Sequence, residues 1–158
     1  MKRLSVLLVG GVLAVSTHAV NWSKISESPT GSIFSLDLDS IESSDINIID
    51  EKNVENITVS IRRTYPAQKD ETKVDKEGKE KAIHHSDQQL LISCKDASYY
   101  KRAYVNYDAN NKVLESWQSE KPILTTKDFK ITKPKTISRM LIEQACKTYL
   151  TSKTSNVR

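Results

Sequence analysis

Residues 136–149 read TISRMLIEQACKTY. Apolar side chains fall at Ile137, Met140, Leu141, Ala145 and Tyr149. That three- and four-residue spacing draws one stripe along an α-helix. Thr136, just ahead of the stripe, is an N-cap candidate whose hydroxyl can accept a free N–H of the first turn. Cys146 comes five residues after Leu141, at the edge of the stripe. From there its thiol can reach the surface that the helix covers.

This helical period stands alone, because the chain before it has the period of strands. Asn56 to Tyr65 alternates, with Ile57, Val59 and Ile61 on one side and Thr58, Ser60 and Arg62 on the other. Such alternation marks a half-buried strand. Shorter strands are expected at Asn21–Ile25, Ile33–Leu38 and Ile46–Ile49, the first two separated by the turn sequence Ser28-Pro29-Thr30-Gly31. From about Gln88, Leu90, Leu91 and Ile92 lead into Cys94, and an aromatic strand follows from Tyr99 to Asp108. Asp108-Ala109-Asn110-Asn111-Lys112 has the chemistry of a hairpin loop, since Asn and Asp tolerate left-handed backbone. Val113 to Gln118 forms the returning strand. Many strands followed by one helix predict an α+β domain: an antiparallel β-sheet with the C-terminal helix packed on one face.

The first nineteen residues read as a secretory signal peptide. Lys2 and Arg3 precede an apolar run from Leu4 to Val15, and Thr17-His18-Ala19 ends in a small residue suited to cleavage. The run is shorter than the ~20 residues a membrane span needs. The mature chain then begins at Val20, with no transmembrane segment and no adjacent cysteine to carry a lipid. Location in the periplasm, on the outer surface or outside the cell follows. Residues 20–158 form a single domain, interrupted at about residues 66–87 by a charged, solvated loop. Five lysines alternate with five acids there between Lys69 and Lys81. Cys94 and Cys146 are the chain's two cysteines. In an oxidising compartment such a pair predicts one disulfide, tying the helix to the sheet.

The net charge of the whole chain is +4, and its distribution is uneven. Val20 to Ser60 carries a balance of −6 and Lys121 to Arg158 one of +7, counting Lys and Arg against Asp and Glu. A basic surface suits a protein or acidic-glycan partner. No recognition motif points to nucleic acid. Glycine-rich phosphate loops and serine-nucleophile motifs are absent from the sequence, so no cofactor or catalytic residue is assigned. His84 and His85 read as exposed loop residues. Neighbouring side chains of an extended segment point apart, so a shared metal is not expected. Asp37 and Asp39 end a strand, with Asp39 expected to accept backbone N–H groups. Trp22 and Trp117 read as core or edge packing. Tyr99, Tyr100, Lys101 and Arg102 place two aromatics beside two cations and form the candidate ligand-binding residues. Lys130, Lys133 and Lys135 would extend that patch.

Taken in order, these pieces resemble the surface-adhesin protein E family of Gram-negative bacteria. The likeness rests on Trp22, Leu36-Asp37-Leu38-Asp39-Ser40-Ile41, Leu91-Ile92-Ser93-Cys94, the tyrosine-rich stretch to Tyr107-Asp108, Asn111-Lys112-Val113-Leu114, Trp117 and Ala145-Cys146. It spans roughly Trp22 to Tyr149. It implies an antiparallel sheet with a helix clamped by a disulfide, and binding to host surface or extracellular-matrix proteins. The best-known adhesin of this type is lipid-anchored, which this chain is not expected to be. The leading expectation is an exported, non-enzymatic binding module acting as an adhesin. The alternative is a periplasmic accessory or inhibitor protein that binds another protein. A homodimer is compatible with either.

Overall fold

The computed structural model describes residues 20–46, 48–49, 56–67 and 82–157. The signal-peptide reading and most of the charged loop lie outside the described residues. Eight strands are described: β1 (Trp22–Glu27), β2 (Ile33–Asp37), β3 (Glu42–Ser43), β4 (Asn56–Thr64), β5 (His85–Ser93), β6 (Ser98–Tyr107), β7 (Val113–Gln118) and β8 (Lys130–Ile131). One helix follows, α1 (Ile137–Ser155). All the strands join one antiparallel sheet in the order β1-β2-β4-β5-β6-β7. The short β3 continues the β2 side of β4, and β8 continues the β7 side of β6. This is the expected α+β architecture.

Turn chemistry sets the hairpins. Gly31 has φ +89°, a left-handed value that glycine adopts without a steric penalty. The Ser28 hydroxyl accepts the N–H of Ser32, closing the β1–β2 turn. In the β6–β7 loop the Asp108 carboxylate accepts the N–H groups of Asn110 and Lys112, and Asn111 takes φ +61°. After β2 it is Asp37, not Asp39, that accepts a backbone N–H, that of Asp39. The donor and the carboxylate are therefore reversed relative to expectation.

Ile57, Val59 and Ile61 are buried on the face of β4 that meets the helix, as alternation requires. They join Leu36, Leu90 and Ile92 from the sheet with Leu141, Ile142, Ala145 and Tyr149 from α1. The Thr136 hydroxyl accepts the N–H of Arg139, so the predicted cap is made. The buried stripe differs from expectation at one position. Ile142 is buried, whereas Met140 is 44% exposed. At ~100° per residue the two sit on opposite sides of Leu141, and only Ile142 turns towards the line of Ala145 and Tyr149.

A second, smaller core forms on the other face of the sheet from Leu91, Ile48 and Leu124, with Tyr100 and Phe129 against it. Ile48 and Leu124 make a parallel bridge there, and Ile49 donates its N–H to the Leu124 carbonyl. Both faces of Leu90-Leu91-Ile92 are thus covered. β5 begins at His85, three residues before the expected point, which shortens the charged loop. Polar residues can open this strand because Asp87 takes two hydrogen bonds from Arg62, each 2.7 Å.

Cys94 and Cys146 are bonded, with Cα atoms 5.8 Å apart and a separation of 52 positions in sequence. Closing a loop of that size is worth ~4 kcal/mol in the chain-entropy model. Cys146→Ser should therefore lower the unfolding free energy by about 3–4 kcal/mol in urea titrations. Hydrogen exchange should show α1 loosening before β4 and β5. Unchanged stability would contradict the clamp.

Candidate functional site

The strand period divides the four candidate residues. Tyr99 packs against the helix-side core, and Tyr100 packs against the second core on the opposite face. Lys101 returns to the helix side, directly opposite Leu90 in the ladder. A bulge between Gln89 and Leu90 leaves Arg102 without a partner in register. Its guanidinium lies over the Tyr100 ring, 6.0 Å from the centroid, and donates to the Lys121 carbonyl at 2.9 Å. The quartet is therefore divided between the two faces of the sheet.

Tyr99 and Lys101 line a cleft between the sheet and the first turns of α1. Phe34 from β2, Ile61 and Arg63 from β4, Leu90 from β5, and Leu141 and Ile142 from the helix complete most of its wall. Its walls are largely apolar, and its two charged side chains are both cations. Arg63 is held in place by stacking. Its guanidinium lies 4.5 Å from the Tyr65 ring centroid and 5.4 Å from that of Phe34, and it donates to the Ser32 hydroxyl. Lys101 lies 5.8 Å from the Tyr104 ring centroid. The cleft encloses about 100 Å³, against ~300–1,000 Å³ for a typical small-molecule pocket. That is room for about one amino-acid side chain. The pairing of Tyr99 with Lys130 brings the basic segment that includes Lys133 and Lys135 towards this side of the molecule.

Tyr100 instead lines a shallow open hollow of about 560 Å³ with Trp117, Ser119, Lys121 and Pro122. The Tyr100 and Ser119 hydroxyls are 2.6 Å apart. Lys121 donates to Asp128 at 2.6 Å, which holds the Asp128 carboxyl below its ordinary value. The cation here is already neutralised, so the hollow has less to offer an acidic ligand than the cleft. Trp117 is an edge residue, 44% exposed and stacked on Tyr104. Trp22 carries the Arg62 guanidinium 4.5 Å from its ring centroid.

Arg63 and Phe34 are absent from the sequence reading. The signal was the pair Arg62-Arg63 inside an alternating strand, which must send one guanidinium to each face. Which face carried the cleft depended on the helix. The histidines also differ from expectation. His85 is a strand residue only 4% exposed, stacked on Tyr107 with centroids 4.8 Å apart. Its Nδ1 lies 2.9 Å from Nδ1 of His84, so one of the two nitrogens must donate. Among the described residues no group of three or more His, Cys, Asp or Glu side chains is placed to hold a metal ion. Compared with protein-family models, curated proteins and solved structures, the chain gives no match.

Burial lowers the His85 pKa, and the charge of Arg62 pushes the same way. The unfolded chain then binds a proton more readily than the folded one. Stability from this residue is present above its ordinary value of about 6.5 and is lost as pH falls below it. Urea unfolding should give a free energy that declines between about pH 7 and 5.5. His85→Phe, which keeps a ring on Tyr107, should flatten that part of the profile. Parallel profiles for the two proteins would refute the assignment.

Proposed function

We propose that the chain is an exported, non-enzymatic binding module, an adhesin for host surface or extracellular-matrix components. The observation that carries this reading is the cleft. Apolar walls with two fixed cations suit an apolar side chain flanked by acidic groups, as on a protein segment. Desolvated apolar contact supplies affinity, while the cations select the partner and speed its approach. The resemblance to the surface-adhesin protein E family supports the same reading, and the apolar leader of the sequence supports export. The contact centres on Tyr99, Lys101 and Arg63, with Phe34 as the aromatic floor. Tyr100 and Arg102, on the opposite face, lie outside it.

Surface plasmon resonance over immobilised heparin and over a solubilised basement-membrane extract tests the proposal. Replacing both Arg63 and Lys101 by Ala should weaken binding about tenfold or more, a loss of ~1.4 kcal/mol. Arg102→Ala should leave binding unchanged. Wild-type binding should fall as salt rises, because exposed charges are screened over ~8 Å at physiological ionic strength. An equal loss in both variants removes the cleft from the proposal. No wild-type binding to either surface removes the adhesin. Protease applied to intact cells then reports whether the protein is exposed outside or enclosed in the periplasm.

A further inference from the structure

Gln88 stands at the middle of the helix-side cleft. In the ladder it lies opposite Ile61 of β4 and Tyr104 of β6. Arg63 pairs with Ser86, two residues before it, and Lys101 with Leu90, two residues after it. The two cations therefore sit on the strands either side of Gln88, at opposite ends of a diagonal that passes over its amide. Diagonal neighbours on one face are within reach of long side chains. Ser138, in the first turn of α1, adds a hydroxyl from the helix side. The apolar wall beside this polar line is Ile61, Leu90, Leu141 and Ile142, all buried. Neither Arg63 nor Lys101 has an ion-pair partner among the described residues.

An occupant that satisfies this wall brings one apolar side chain, for a space of about 100 Å³, and an anion close beside it. Inside a polypeptide the two lie apart. The next side chain of an extended segment points to the opposite face, and the one after that stands about 6–7 Å further along. At the last residue they share one carbon, because the Cα that bears the side chain also bears the terminal carboxylate. A free amino acid has this carboxylate too, but its ammonium would lie beside two cations with no acid in the wall to receive it. In a peptide that nitrogen is a neutral amide. A long acyl chain is larger than the space.

We propose that the cleft takes the C-terminal residue of a polypeptide partner, an aliphatic one. Its side chain packs against Leu90, Leu141 and Ile142, and its carboxylate lies over Gln88 between Arg63 and Lys101. This rests on the reading of the cleft as a protein-binding site and names the part of the partner that enters it. Hydrogen bonds to a charged acceptor are about twice as strong as neutral ones, so the free carboxylate is the group that decides affinity.

Calorimetric titration of the chain from Val20 to Arg158, which holds every described strand and the helix, provides the test. The probes are acetyl-Gly-Gly-Leu with a free carboxylate, the same peptide ending in an amide, and acetyl-Gly-Asp-Leu ending in an amide, which keeps the charge but moves it to an internal residue. The free acid should bind, and both amides should bind about tenfold or more weakly. Lys101→Gln and Arg63→Gln should each weaken binding of the free acid and leave that of the amides where it was, whereas Arg102→Gln should change neither. No binding of the free acid at millimolar concentration overturns the proposal. So does equal binding of acid and amide, or a preference for the internal aspartate. If Arg63→Gln does not fold, Lys101→Gln and the peptide series on the wild type decide. Selective binding of the free acid stands even where heparin and the matrix extract are not bound, so this proposal and the adhesin fail separately.

Discussion

The structure depends on one run of three residues, Leu90-Leu91-Ile92, which is buried between covers on both faces of the sheet. Leu90 and Ile92 point to the helix, and Leu91 points to the crossing of Ile48 and Leu124. Burying side chains of this kind contributes ~1.5–3 kcal/mol each. The gain exists only if both covers are in place. The disulfide from Cys94, two residues after Ile92, secures the helix cover. The bridge between Ile48 and Leu124 secures the other. A central strand covered twice is also why the sheet can carry polar residues elsewhere, as in the Arg62–Asp87 pair.

Strand geometry then distributes the charge. Adjacent residues on one strand go to opposite faces, so the pairs Arg62-Arg63 and Tyr99-Tyr100 are split. Arg62 stacks on Trp22 and binds Asp87, while Arg63 stacks on Tyr65 and Phe34 beside the cleft. Tyr99 and Lys101 go with Arg63, and Tyr100 goes with the second core. The consequence is chemical. Arg63 and Lys101 sit in an apolar cleft with no acid among the residues that line it, whereas Lys121 on the far side is neutralised by Asp128.

The histidine pair is the exception. His85 opens β5 under Tyr107, and burial, with the nearby charge of Arg62, lowers its pKa. Its contact with His84 departs from the rule that adjacent side chains diverge, because their Nδ1 atoms still meet.

The sequence alone determined the class of fold, since its evidence is local. Alternation in Asn56–Tyr65, the helical stripe after Thr136 and the turn residues at Asp108–Asn111 are each set within a few residues by backbone sterics and side-chain period. The order of strands then helix left one sensible arrangement, and two cysteines left one pairing. The limits of the reading were also local. Met140 in place of Ile142, and Gln88 in place of His85 as the start of a strand, are errors of one turn or a few residues. The site was a different matter. Tyr99 to Arg102 is contiguous in the chain, and only the tertiary structure divided it and brought Arg63 and Phe34 to the same cleft as Lys101. That choice depends on which face the helix covers. The covered face is fixed by the apolar residues of β2, β4 and β5 acting together, a sum over distant segments that no local pattern contains.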